Sequence, residues 1–184
     1  METRWLYTTS ENLHQLREAS KDTCVIPMGC IQKNELGVPV GKSVLLANEI
    51  ALLASKQETV CVFPEFAFGD VPLGPDEAYP GSIILPVETE MLFLEQLCHQ
   101  IARNGFKKIA ILNCSENQVW ISAFLKKIQN KPHDFVVMNI PIKKEEQSAM
   151  VEKAVKAIKF IKEDDELIRW HNRLWNLTKE ENLL

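Results

Sequence analysis

Hydrophobic and polar positions follow two rhythms along this chain. Short, almost wholly apolar runs at 24–28 (CVIPM), 60–63 (VCVF), 108–112 (KIAIL) and 135–139 (FVVMN) have the length and β-branched content of buried strands. Between them, at 43–55, 87–104 and 118–129, apolar residues return every three or four positions, the spacing of a helix with one buried face. The flanking residues sharpen these boundaries. Ser10 before ENLHQLREA predicts a capped first helix. Pro86 opens the helix at 87–104, and Gly105 fits its C-terminal cap. Asn117 can cap 118–129, and Asn130-Lys131-Pro132 turns the chain into the last strand. Residues 82–85 predict a short strand after a long irregular loop, 64–80, rich in Gly and Pro.

From about residue 145 the pattern is helical to the end. There Leu167, Trp170, Leu174 and Leu177 form a stripe at helical spacing, which reads as a docking face within the protomer or, failing that, a subunit contact. Strands alternating with helices predict an α/β fold, three layers (α/β/α) with a mostly parallel central sheet. With 184 residues, 46% of them hydrophobic, residues 1–184 can bury one full core as a single domain, with the helical segment from about 145 as its last part. In such sheets ligands bind at loops leaving the carboxyl ends of strands. That rule singles out two loops, 27–43 (PMGCIQKNELGVPVGKS) and 113–118 (NCSENQ).

Charge and cysteine usage narrow the function classes. A net charge of −4 argues against a general nucleic-acid surface, whose footprint is basic. The pair Lys143–Lys144 is followed at once by Glu145–Glu146, a run that reads as a solvated helix face. No stretch approaches the ~20 apolar residues that span a bilayer, and the N-terminal residues lack a signal-peptide pattern. The five cysteines (Cys24, Cys30, Cys61, Cys98, Cys114) contain no C-x-x-C, and read as reduced thiols of a cytoplasmic protein.

Read without gaps, the first loop resembles the signature of the creatininase (creatinine amidohydrolase) family, P-x-G-S-x-E-Q-H-G-P-H-L-P-L-G-T-D. The frame Pro27, Gly29, Ile31, Pro39 and Gly41 is kept. The second loop is similar to the family's N-G-H-x-x-N segment through Asn113, residues 79–88 (YPGSIILPVE) to its F-P-G-T-I-S-L-S-P-E, and 105–109 (GFKKI) to its G-F-R-R-I. The resemblance implies a creatininase-like fold, shortened at its C-terminal end, and assembly as a homo-oligomer, since family members form trimers of dimers.

It also implies a two-metal centre whose ligands this chain does not carry. Where the family places its Glu, His and Asp in the first loop, and a His and a Glu in the second, this chain has Gln32, Asn34, Ser43, Ser115 and Asn117. Three carboxylates and two imidazoles are replaced by neutral amides and hydroxyls, which bind transition metals weakly and cannot offset two dications. The family's H-A-G-x-x-E-T segment, with its catalytic His, is replaced by Pro141-Ile142-Lys143-Lys144-Glu145-Glu146. Without metal, an attacking water keeps a pKa of about 15.7 in place of about 7. The expectation is a degenerate family member with no metal and no other cofactor. Its former metal pocket would bind a small polar ligand, anionic where Lys33 and Lys42 contribute, or would be collapsed in a protein with only a structural role.

The same residues offer other chemistries. The run 37–43 (GVPVGKS) falls one residue short of a phosphate-binding loop and carries Pro39 where a backbone donor is needed. Cys114, with Glu116 beside it and Glu35, Lys33 and Lys42 in the facing loop, offers a thiol nucleophile for an amide or nitrile carbon. A residual metal amidohydrolase acting on a small cyclic amide would need Glu35, Asp76 or Glu116 as replacement ligands. Asp70, Asp76 and Glu77 can reach the pocket from the long loop, although three loop acids are more often solvated. The histidines, His14, His99, His133 and His171, have no ligand spacing with one another or with a cysteine.

Overall fold

Four strands form the centre of the molecule: β1 (Thr23–Met28), β2 (Cys61–Val62), β3 (Lys108–Asn113) and β4 (Val136–Pro141). Every residue of β1, β2 and β3 is buried, as continuous apolar runs predict for strands covered on both faces. All pairings are parallel, in the order β2-β1-β3-β4. The structure, a computed structural model, describes residues 1–72, 74, 80–115, 118–130 and 133–167. Within them lie five α-helices: α1 (Leu13–Ala19), α2 (Lys42–Gln57), α3 (Val87–Arg103), α4 (Gln118–Gln129) and α5 (Gln147–Glu163).

Side chains of a strand alternate between its two faces, so the sheet separates two cores. Cys24, Ile26 and Met28 of β1 join Ile109 and Ile111 of β3 on one face, which Leu16 of α1, Leu94 and Ile101 of α3 and Phe124 of α4 cover. Val25, Ala110 and Leu112 point the other way, against Ala47, Ile50 and Ala54 of α2 and Ala154 and Ile158 of α5. The result is the expected three-layer α/β/α sandwich with a parallel sheet.

Local departures from the sequence reading have local causes. Ser10 does not cap α1. It sits in a turn in which Thr9 O accepts from the Asn12 and Leu13 amides, so the helix starts at Leu13. Strand β2 keeps two residues, because Phe63 donates one last bond to Val25 O and Pro64 has no amide to continue. Residues 82–85 are not a strand. Ile83 N–H bonds Ile31 O, which lays them on the first loop, outside the sheet. Gly105 takes φ +94° behind α3, the left-handed cap that its position predicts. Leu167 packs against the α2–α5 core. Trp170, Leu174 and Leu177 lie outside the described residues.

Candidate functional site

Helix α2 starts directly against the carboxyl end of β1. A Cβ at Gly29 would stand 2.4 Å from the backbone N of Val44, so only glycine permits this approach. Ser43, in the first turn of α2, ties the helix to the loop: its Oγ accepts from Cys30 N (3.0 Å) and donates to Cys30 O (3.1 Å). The Cys30 thiol donates to Gln32 Oε1 (3.3 Å), and the Gln32 backbone N–H donates to Val40 O (3.0 Å). Asn34 closes the loop, its Nδ2 donating to Gln32 O (3.2 Å) and Pro39 O (2.7 Å). At the tip, Gly37 takes φ +81° and Val38 N–H bonds Glu35 O.

The second loop is tied down in the same way. Cys114 N–H donates to Met28 O at the end of β1 (2.9 Å), and Ile142 N–H to Asn113 O at the end of β3 (2.8 Å). The fully buried Asn113 accepts at Oδ1 from both the Ser115 amide (2.8 Å) and the Ser115 hydroxyl (2.7 Å).

Between these loops is a cavity of about 360 Å³, near the lower end of the ~300–1,000 Å³ usual for small-molecule sites. Gln32, Asn34, Lys42 and Ser43 line one side. Cys114 and Ser115 form its floor at the end of β3, and Leu46 of α2 adds an apolar wall. The remaining wall is Pro141, Ile142, Lys143 and Lys144, where β4 leaves the sheet.

Four of the five positions singled out in the sequence, Gln32, Asn34, Ser43 and Ser115, therefore share one cavity. Asn117 lies outside the described residues, as do Glu116, Asp76, Glu77 and His171. Lys42 and Cys114 line the cavity. Glu35 and Lys33 do not; both are exposed. Burial alone pushes the Cys114 thiol up to about 12, so it is not ionised at neutral pH and lacks the thiolate a nucleophile needs. His14 faces Glu18 on α1, and His99 packs with His133 and Phe135, all away from the cavity.

The sequence reading missed Lys143 and Lys144, which it placed on a solvated helix face. They precede α5, which starts at Gln147, and belong to the loop at the carboxyl end of β4. The strand-end rule that pointed to the other two loops applies equally here. Also missed was Glu90, buried in the first turn of α3. Its Oε2 has no hydrogen-bond partner among the described residues, and burial followed by the Asp70 charge raises its carboxyl to about 7, against the opposing bond from the Leu85 backbone.

A family model, creatinine amidohydrolase, matches residues 7–173. The chain belongs to the creatininase family. Solved structures agree in fold. A creatininase with Mn superposes with a TM-score of 0.65 at 17% identity, over 77% of this chain and 58% of that one. A mutant creatininase complexed with creatine gives 0.64 at 17% identity, with the same coverage. A putative creatinine amidohydrolase from Bacteroides fragilis gives 0.59 at 21% identity, over 76% of this chain and 56% of that one. The chain thus spans less than two thirds of the length of these structures. No curated protein sequence matches it.

Among the described residues, the donors do not fit the two metal ions that the resemblance implies. Among the described residues, no three His, Cys, Asp or Glu side chains come together as a metal site. The cavity's own oxygens are neutral, and those of Ser43 and Gln32 already serve the loop. The charged groups among its described lining residues are three lysines, which repel a dication.

Proposed function

We propose that this creatininase-family protein binds a small polar ligand at the carboxyl ends of its strands and does not carry out metal-dependent amide hydrolysis. The observation that supports it is the open cavity of about 360 Å³, with Gln32, Asn34, Ser43 and Ser115 at positions where the resemblance places metal ligands. A collapsed site would leave no such volume. One similar structure is of a creatininase complexed with creatine, a ligand of the small polar class proposed here. A thiol amidohydrolase built on Cys114 is the poorer reading, because burial holds the group protonated. The five free cysteines fit a cytoplasmic protein.

A second reading, a homo-oligomeric subunit, draws on apolar exposure around the first loop. Leu36, Val40, Ile83 and Ile84 are all exposed. Ile83 is bonded to the backbone of Ile31, and Val40 lies against Gly81. The two readings are compatible.

The test is creatinine turnover by the full chain, supplied in turn with zinc and with manganese. The expected result is no creatine above the protein-free control. Metal-stimulated turnover would overturn the proposal and return the loop acids to consideration as ligands.

A further inference from the structure

We infer that the ligand of this cavity is an organic anion, a carboxylate or phosphate carried on a small apolar body. This deepens the proposed function and rests on that reading of the site. Several polar groups around the cavity are already bonded within the first loop. Ser43 both accepts from and donates to Cys30. Both hydrogens of the Asn34 amide are given to carbonyls of its own loop. Gln32 Oε1 accepts from the Cys30 thiol, which leaves the Gln32 Nε2 group as a donor facing no acceptor among the described residues. Lys42, Lys143 and Lys144 line the cavity, and none of them makes an ion pair with a described residue. What remains is mostly donors, three of them cationic, and no carboxylate among the described lining residues. Asn34 Oδ1 is left as an acceptor, so a cationic or purely donating ligand would find one neutral oxygen there against three lysines that repel or ignore it.

Placement supports the same sign. Lys42 is the first residue of the 16-residue helix α2, whose N-terminal end carries a partial positive charge. Lys143 and Lys144 approach from a different element, the loop after β4, so cations stand on both sides of the space. Glu145 and Glu146 follow them in sequence but do not line the cavity. The rest of the wall is apolar: Leu46, Pro141 and Ile142 offer no polar side-chain atom. A bare inorganic ion would leave that surface facing water, whereas an anion with a hydrocarbon body covers it.

Isothermal titration of the full chain with three probes of one shape tests this: 4-methylpentanoate, its neutral amide 4-methylpentanamide, and the amine of the same skeleton. Phenyl phosphate and inorganic phosphate distinguish the two sources of anionic oxygen and the need for an apolar body. The acid, phenyl phosphate or both should bind at least about tenfold more tightly than the amide, with the amine weakest and inorganic phosphate weaker than phenyl phosphate. Affinity should fall with added salt. The variant Lys143→Ala/Lys144→Ala should lose at least about fivefold for the anion and little for the amide, with its thermal unfolding unchanged. Equal binding of acid and amide would overturn the anion inference while leaving a small-ligand pocket. Binding of none of the five probes would overturn both.

Discussion

The two ends of the parallel sheet treat charge in opposite ways. At the amino ends of the strands, lysines are matched, and Lys108 and Lys162 are also buried. Lys108 donates to Asp165 and to Lys162 O, Lys162 reaches Glu58 and Thr59 O, and Lys107 pairs with Asp134. At the carboxyl ends, Lys42, Lys143 and Lys144 surround a cavity without such partners among the described residues, and Glu90 is buried with none of these cations beside it. At one end charge is used as a clasp. The other is held open by neutral hydrogen bonds, and its charges remain available. Ligand binding in this fold belongs to the open end.

Substitutions at each end should separate these roles. The largest effect is expected at Gly29, where an added Cβ would meet backbone atoms of α2 that cannot swing aside. Gly29→Ala should cost about 3 kcal/mol in urea unfolding and close the cavity. Lys162→Ala, at the amino ends of the strands, leaves Glu58 and Thr59 O without their cation. Because Glu58 is a quarter exposed, about 2–3 kcal/mol is expected in the same measurement, with ligand affinity unchanged.

The buried acid at the open end gives a pH signature. Glu90 has its folded value raised from 4.5 to about 7, so the folded state holds a proton that the unfolded chain releases. Stability is therefore full below about 4.5 and is lost as pH rises through about 7. Glu90→Gln should remove that loss and leave the variant on the order of 2 kcal/mol more stable than the parent at pH 8, read from unfolding curves at pH 5 and 8. A parent whose stability does not change between those pH values would show that the charge at Glu90 is neutralised. The smallest change is Ser43→Ala. Losing the Cys30 bonds should cost about 1–2 kcal/mol and loosen the first loop, seen as faster amide exchange at Cys30 and Gln32.

The fold was legible where periodicity and burial agree. The helix predicted at 118–129 is α4 to the residue, and the apolar runs at 24–28 and 108–112 are the cores of β1 and β3. Failures came where a boundary depends on which backbone groups find partners. Ser10 has the chemistry of a cap, yet Thr9 O satisfies the first amides. Residues 82–85 are apolar enough for a strand but meet a loop, not a sheet edge. The candidate site was half legible. Gln32, Asn34, Ser43 and Ser115 could be placed together through the family frame, because that frame fixes where each loop starts. Lys143 and Lys144 could not, since their charge run reads the same on a solvated helix as beside a cavity. Only the end of β4 at Pro141 decides between them.

The most direct test of the central claim, that neutral hydrogen bonds stand where the family resemblance places a metal centre, is metal content by mass spectrometry. The full chain would be purified without chelator or metal-affinity resin, incubated with excess zinc and, separately, manganese, then dialysed. The account predicts less than about a tenth of an equivalent of either metal retained. Retention of about one or two equivalents would contradict it and restore a metal-dependent hydrolase.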